Sequence, residues 1–256
     1  MKKSILSLAV AAGVSTTAMA QMHINYQGTG EALIYPLYTA QQGNDTYISV
    51  VNTTGTAKAV KVRILEAQNS EEVLDFNLYM SPEDHFSFAI TASGEGAKLV
   101  TADKSCTVPA IPEEGVDFVN NLFQDEGVSG LSRTTIGHIE VIEMGQIAFS
   151  EDPDSVYQAT LHDSEGVPGN CEAHTLLWSS IEGEPGAWLA ATPGEAEAGF
   201  VTGPNSWDGG GLYGYGQVVN VMQGTAFGYD AIAIEGLVDP DNPLADGAAL
   251  HYFPGD

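Results

Sequence analysis

The chain has 256 residues, with 34 Asp and Glu against 8 Lys and Arg, a formal net charge of −26. That balance excludes a nucleic-acid binder, which needs basic groups to displace counterions from phosphates, and a polybasic membrane-surface protein. A hydrophobic fraction of 43% suffices for a core, while 29 Gly and 12 Pro favour turns and short strands over long helices.

Residues 1–20 read as a signal peptide. Lys2 and Lys3 precede the apolar stretch Ile5 to Val14, too short to span a bilayer. Ala18-Met19-Ala20 then supplies the small-x-small pattern that places cleavage before Gln21. That junction has no cysteine for a lipid anchor, and no later run of about 18 apolar residues follows. The expected product is exported, periplasmic or at the cell surface, with no membrane insertion after signal removal. It keeps 6 basic residues against 34 acidic ones, and none of the basic residues lies beyond Arg133. Such a chain repels itself unless salt or divalent cations screen it; a salty habitat is the simpler reading.

Residues 21–110 read as an immunoglobulin-like antiparallel β-sandwich. Ala32 to Tyr35 forms a strand that Pro36 should end or hold at an edge. The turn Gly43-Asn44-Asp45 leads into the β-branched and aromatic run Thr46 to Asn52. In Ala59 to Leu65, Val60, Val62 and Ile64 face one way and Lys61 and Arg63 the other. Val73 to Tyr79 alternates likewise, with Leu74, Phe76 and Leu78 inward and Asp75 and Asn77 outward, and Phe86, Phe88 and Ile90 continue the period. Four successive segments with turns every 10–14 residues or so suit a sandwich.

Residues 111–256 read as an irregular β-rich region with one or two short helices, packed on the first as one unit. Pro109 to Glu114 suits a linker, Val116 to Phe123 a short helix, Ile136 to Ile142 a strand, and residues 150–172 a loop. Glu172 to Ile181 suits a helix capped by Asn170. Leu212 to Ile234 reads as a β-hairpin broken at Gln223-Gly224-Thr225.

Cys106 and Cys171 are the only cysteines, and in an exported chain they are expected to form a disulfide. A nucleophilic Cys171 near His174 is the rival. No GxSxG elbow, HExxH or P-loop occurs. His138 and Glu140 share a strand face, half of a metal or acid–base site without a third member. His162-Asp163-Ser164 holds the residue types of a serine triad, but neighbours cannot readily point at one another in the required order, so a solvated loop is expected. No cofactor is expected. Calcium is the inorganic ion best suited to the acidic loops, with Asp239, Asp241 and Asp246 as candidate ligands, and a solvated loop is the preferred reading there. Gly209 to Gly216 interleaves glycine with Tyr213 and Tyr215. Those rings, with Trp207, are candidates for stacking on a sugar; the alternative packs them under a sheet, with glycine marking close approach.

The segments Asn44 to Thr54, Ala59 to Arg63, Val73 to Pro82, Cys106 to Pro109 and Gly210 to Ala231 together resemble a family of exported bacterial proteins, loosely labelled cell-surface proteins. The resemblance spans most of the mature chain. It implies export and surface association, and it supplies no catalytic residues. The function expected is a non-enzymatic structural or interaction protein whose partners are other protein chains or itself, joined by strand edges. A carbohydrate-binding module that takes polysaccharide is the alternative. A hydrolase with a non-standard site ranks third.

Overall fold

A computed structural model describes residues 22–178, 180–181, 184–185, 200–201 and 209–237. Its strands are β1 (His23–Ile24), β2 (Ala32–Thr39), β3 (Asn44–Asn52), β4 (Ala57–Glu66), β5 (Glu72–Met80), β6 (His85–Ser93), β7 (Gly96–Val100), β8 (Thr107–Val108), β9 (Val116–Asp117), β10 (Ile136–Ile147), β11 (Ser180–Ile181), β12 (Glu184–Pro185), β13 (Phe200–Val201), β14 (Leu212–Asn220), β15 (Thr225–Asp230) and β16 (Ile232–Glu235). Between them lie helices α1 (Val156–Thr160) and α2 (Cys171–Trp178). The protein is mainly β. One antiparallel sheet runs β1-β16-β2-β10-β4-β5-β8 with β13 beside β10, the other runs β15-β14-β3-β6-β7-β9, and β11 and β12 form a small ribbon.

The core follows from the period of two. Val60, Val62 and Ile64 of β4 and Phe76 and Leu78 of β5 are buried, and they meet Ile48, Val50, Phe86, Phe88 and Ile90 of the second sheet. Phe76 touches Phe86 and Phe88 edge-on, with centroids 6.2 and 6.4 Å apart. Each such side chain contributes roughly 1.5–3 kcal/mol by leaving water.

The opposite face of β4 and β5 is not open to water as its polar residues implied. Lys61 and Asn77 are buried, Lys61 pairing with Asp75, and Arg63 bridges Glu72 and Glu140 at 3.0 Å each. At one end of this face Ala57, Ala59 and Tyr79 pack with Val108, Met144, Ile147, Val156, Tyr157, Leu177 and Trp178, so α1 and α2 cover a second, smaller core. A disulfide between Cys106 and Cys171 joins the start of α2 to the chain beside β8.

Several local expectations need correction. Pro36 does not end β2. Pairing with β16 stops at Ile34, and the register with β10 shifts at this level, so the missing N–H costs no ladder bond there. Val116 to Phe123 is not helical: β9 pairs with β7 and the chain then turns, leaving Val119 exposed. The 150–172 stretch contains α1, with Ser155 Oγ accepting from Gln158 N. α2 ends at Trp178, short of Ile181, but Asn170 Oδ1 does accept from Glu172 N at its start. The hairpin breaks at Ala231, and β16 passes to the other sheet, pairing with β2 and β1. The chain beyond residue 110 therefore does not pack on a finished sandwich. β10 lies inside the first sheet, and β14 lies between β3 and β15.

The second core holds a group that senses acid. His174 is fully buried, stacks on Tyr79 with ring centroids 4.1 Å apart, and has Nε2 3.2 Å from Thr160 Oγ1. Burial pushes its imidazole down from 6.5 to about 4. Between those values the unfolded chain takes up a proton that the folded chain refuses, so this contribution to stability is lost as pH falls. His174→Phe keeps a stacking ring and abolishes the proton. The stability difference between wild type and variant in urea titrations is expected to shift against wild type by about 3 kcal/mol from neutral pH to pH 4. A difference that stays constant with pH would refute this account.

Candidate functional site

The outer face of the second sheet carries the most open chemistry. Along β14, Tyr213, Tyr215 and Gln217 point outward, while Gly214 and Gly216 point at the core. The register sets Tyr215 opposite Ser49 and Gln217 opposite Tyr47 on β3, and Ser49 opposite Ser87 on β6. The glycines are required by what lies beneath. A Cβ on Gly214 would sit 1.9 Å from Tyr35 Oη, and one on Gly216 would sit 2.3 Å from the Tyr229 ring. Tyr35 donates its hydroxyl to Ser49 O (2.8 Å), and Tyr229 donates to Leu37 O. Close packing inside and uncovered rings outside are two aspects of one Tyr-Gly-Tyr-Gly pattern.

Tyr47 and Tyr215 are 48% and 43% exposed and border a groove of about 610 Å³ that Ser49, Ser87, Ala89, His85, Thr101 and Gln217 also line. Tyr213 stands to one side. Its ring lies 6.2 Å from that of Tyr215, and its hydroxyl donates to Asp230 at 3.3 Å. Tyr47 and the short floor residues escaped the sequence reading, because only strand pairing brings β3 and β6 beside β14.

β15 is the outer edge of this sheet. Among the described residues its only strand neighbour is β14, and every residue in it is exposed except the half-buried Tyr229. Phe227 is 62% exposed, Met222 in the preceding turn is 91% exposed, and Val221 is exposed beside it. No Lys, Pro or bulge protects this edge, although such devices commonly block strand pairing.

His162 is not a solvated loop residue. Its Nδ1 lies 2.9 Å from Ser81 Oγ and 3.7 Å from Asp84 Oδ2, and its Nε2 lies 3.4 Å from Ser105 Oγ. Burial raises the Asp84 carboxyl, opposed by His162 and by the Ser81 and His85 amides. Ser105 donates its hydroxyl to Asp103 Oδ1 (2.8 Å), so its proton is directed away from the imidazole. The cluster clamps the 161–169 loop to the sandwich. Contiguity did count against Asp163 and Ser164: Asp163 accepts from the Glu165 and Val167 amides, which lower its carboxyl, and Ser164 is exposed.

Glu140 is taken up by Arg63, and among the described residues no group of three or more His, Cys, Asp or Glu is placed to hold a metal ion. Trp178 is buried and donates to the Tyr79 hydroxyl. Residues 1–20, Trp207, Asp239, Asp241 and Asp246 lie outside the described residues. Two buried ion clusters also went unforeseen. Lys58 bonds Glu143 at 2.6 Å, and Arg133 holds Glu66 and Asp125 beneath the Phe123 ring.

No family model matches the sequence, and no curated protein matches it.

Proposed function

We propose that this chain is a non-enzymatic exported interaction protein of the periplasm or cell surface that associates with a second copy of itself, edge to edge, through β15. The carrying observation is the open edge of β15, which is free of charge from Thr225 to Tyr229 and meets its first carboxylate at its last residue, Asp230. From Gly209 to Tyr229 there is no charged side chain, in a chain of net charge −26. Two polyanions meet with least repulsion where neither bears charge, and an antiparallel β15 pair would set uncharged backbone and Phe227 against their own copies. Export is supported by the 1–20 pattern and the Cys106–Cys171 disulfide. Among the described residues no helix is long and apolar enough to cross a membrane. Two antiparallel sheets sharing one core support an immunoglobulin-like reading of the sandwich.

Sedimentation velocity tests the association. The mass of the wild type is expected to rise with concentration, and more steeply in high salt, which screens the repulsion between copies. Ala226→Glu combined with Gly228→Glu places like charges along the exposed edge and is expected to keep the chain monomeric with unchanged melting. A wild type that stays monomeric in high salt, or a double variant that associates equally, would overturn the reading.

A further inference from the structure

We infer that the groove between Tyr47 and Tyr215 binds an uncharged polysaccharide. The register makes these two tyrosines diagonal neighbours across β3 and β14, and both rings are uncovered. The floor is low because the facing pair is Ser49 and Ser87, whose hydroxyls make no hydrogen bond within the described residues. Gln217 adds an exposed amide at the rim. A groove of about 610 Å³ falls within the range of small-molecule sites.

The charge pattern selects the occupant. Among the described residues the lining contains no Asp, Glu, Lys or Arg, although the chain carries 34 acidic residues. An anionic polymer is repelled by the surrounding field, and a cationic one finds no carboxylate in the groove to pair with. An extended peptide is disfavoured for another reason. β3 is paired on both sides, and at Ser87, beyond the reach of β7, the amide donates to Asp103 Oδ2 and the carbonyl accepts from Thr101 Oγ1, so the main chain beneath the groove has nothing to offer a peptide backbone. Recognition must run through ring faces, hydroxyls and an amide, which suit the C–H faces and hydroxyls of a sugar chain.

Affinity electrophoresis with neutral glucans, mannan, galactan and xylan, beside alginate and a polyproline peptide, tests this. At least one neutral polymer is expected to retard the wild type. Tyr47→Ala and Tyr215→Ala should each weaken that retardation about tenfold while melting as the wild type does. Phe227→Ala, on the opposite face of the sheet, should leave it unchanged, which separates this site from association through β15. The inference is overturned by no retardation in any neutral polymer, by retardation in alginate or polyproline alone, or by retardation indifferent to both tyrosines.

Discussion

Lys58→Met is expected to destabilise the protein by ~3–5 kcal/mol above neutral pH, and by less in mild acid. Lys58 and Glu143 have fully buried side chains, with Nζ 2.6 Å from Oε1, and Gly210 N donates to Oε2 at 2.8 Å. Burial pushes the Glu143 carboxyl up to about 7, against the pull of the Lys58 ammonium and the Gly210 amide. A group raised in the folded state contributes most below its unfolded value near 4.5, and that contribution is lost as pH rises through about 7. Removing Lys58 leaves one donor for a buried carboxylate and raises the carboxyl further, so the deficit of the variant grows with pH. Below that range Glu143 holds its proton and the damage is limited to lost packing and one hydrogen bond. Combining Lys58→Met with Glu143→Gln removes both charges and keeps an acceptor for Gly210. The double variant is expected to recover most of the loss and to show no such pH dependence. Urea titrations at several pH values decide it: equal deficits for Lys58→Met at all pH values would contradict the account.

Replacing both cysteines by serine is expected to cost about 4 kcal/mol, the chain-entropy figure for a loop of this length. The bridge spans 65 residues and closes over β10 and α1, strands and helix that the remaining chain must otherwise gather unaided. The loss should fall first on the smaller core. α2 touches the sandwich through Trp178, His174 and Cys171, whereas the large core between the sheets contains no residue of either helix. Limited proteolysis of the double variant should therefore cut first between residues 150 and 178 while the sheets resist. Wild-type protein treated with reductant should behave the same way. Unchanged urea stability of the serine variant, or first cleavage within the sheets, would show that the bridge does not hold the helices down.

The legible parts of this fold were those written in nearest neighbours. Val60, Val62 and Ile64 declare a buried face because side chains two apart share one side of a strand. Asn170 declares a helix start through a bond to Glu172, two residues away. The candidate site was half visible in the same way. Tyr213 and Tyr215 stood out beside glycines, but Tyr47, Ser49 and Ser87 looked like any other strand residues. Lys61 illustrates the opposite failure. Its alternation was read correctly, but the face it occupies is closed to water and its charge is met by Asp75.

By itself the sequence determined a β protein with one face of residues 44–90 in the core, a disulfide from a lone pair of cysteines, and a strongly acidic chain. Only the tertiary structure decided that β10 and β14 join strands from the first third of the chain, that Lys58 meets Glu143, and that Tyr47 faces the same groove as Tyr215. The reason is range. Periodicity is set by the geometry of adjacent peptide units, and a window of ten residues contains it. Strand partnership depends on contacts between distant segments, several of which match equally well until the whole core is packed.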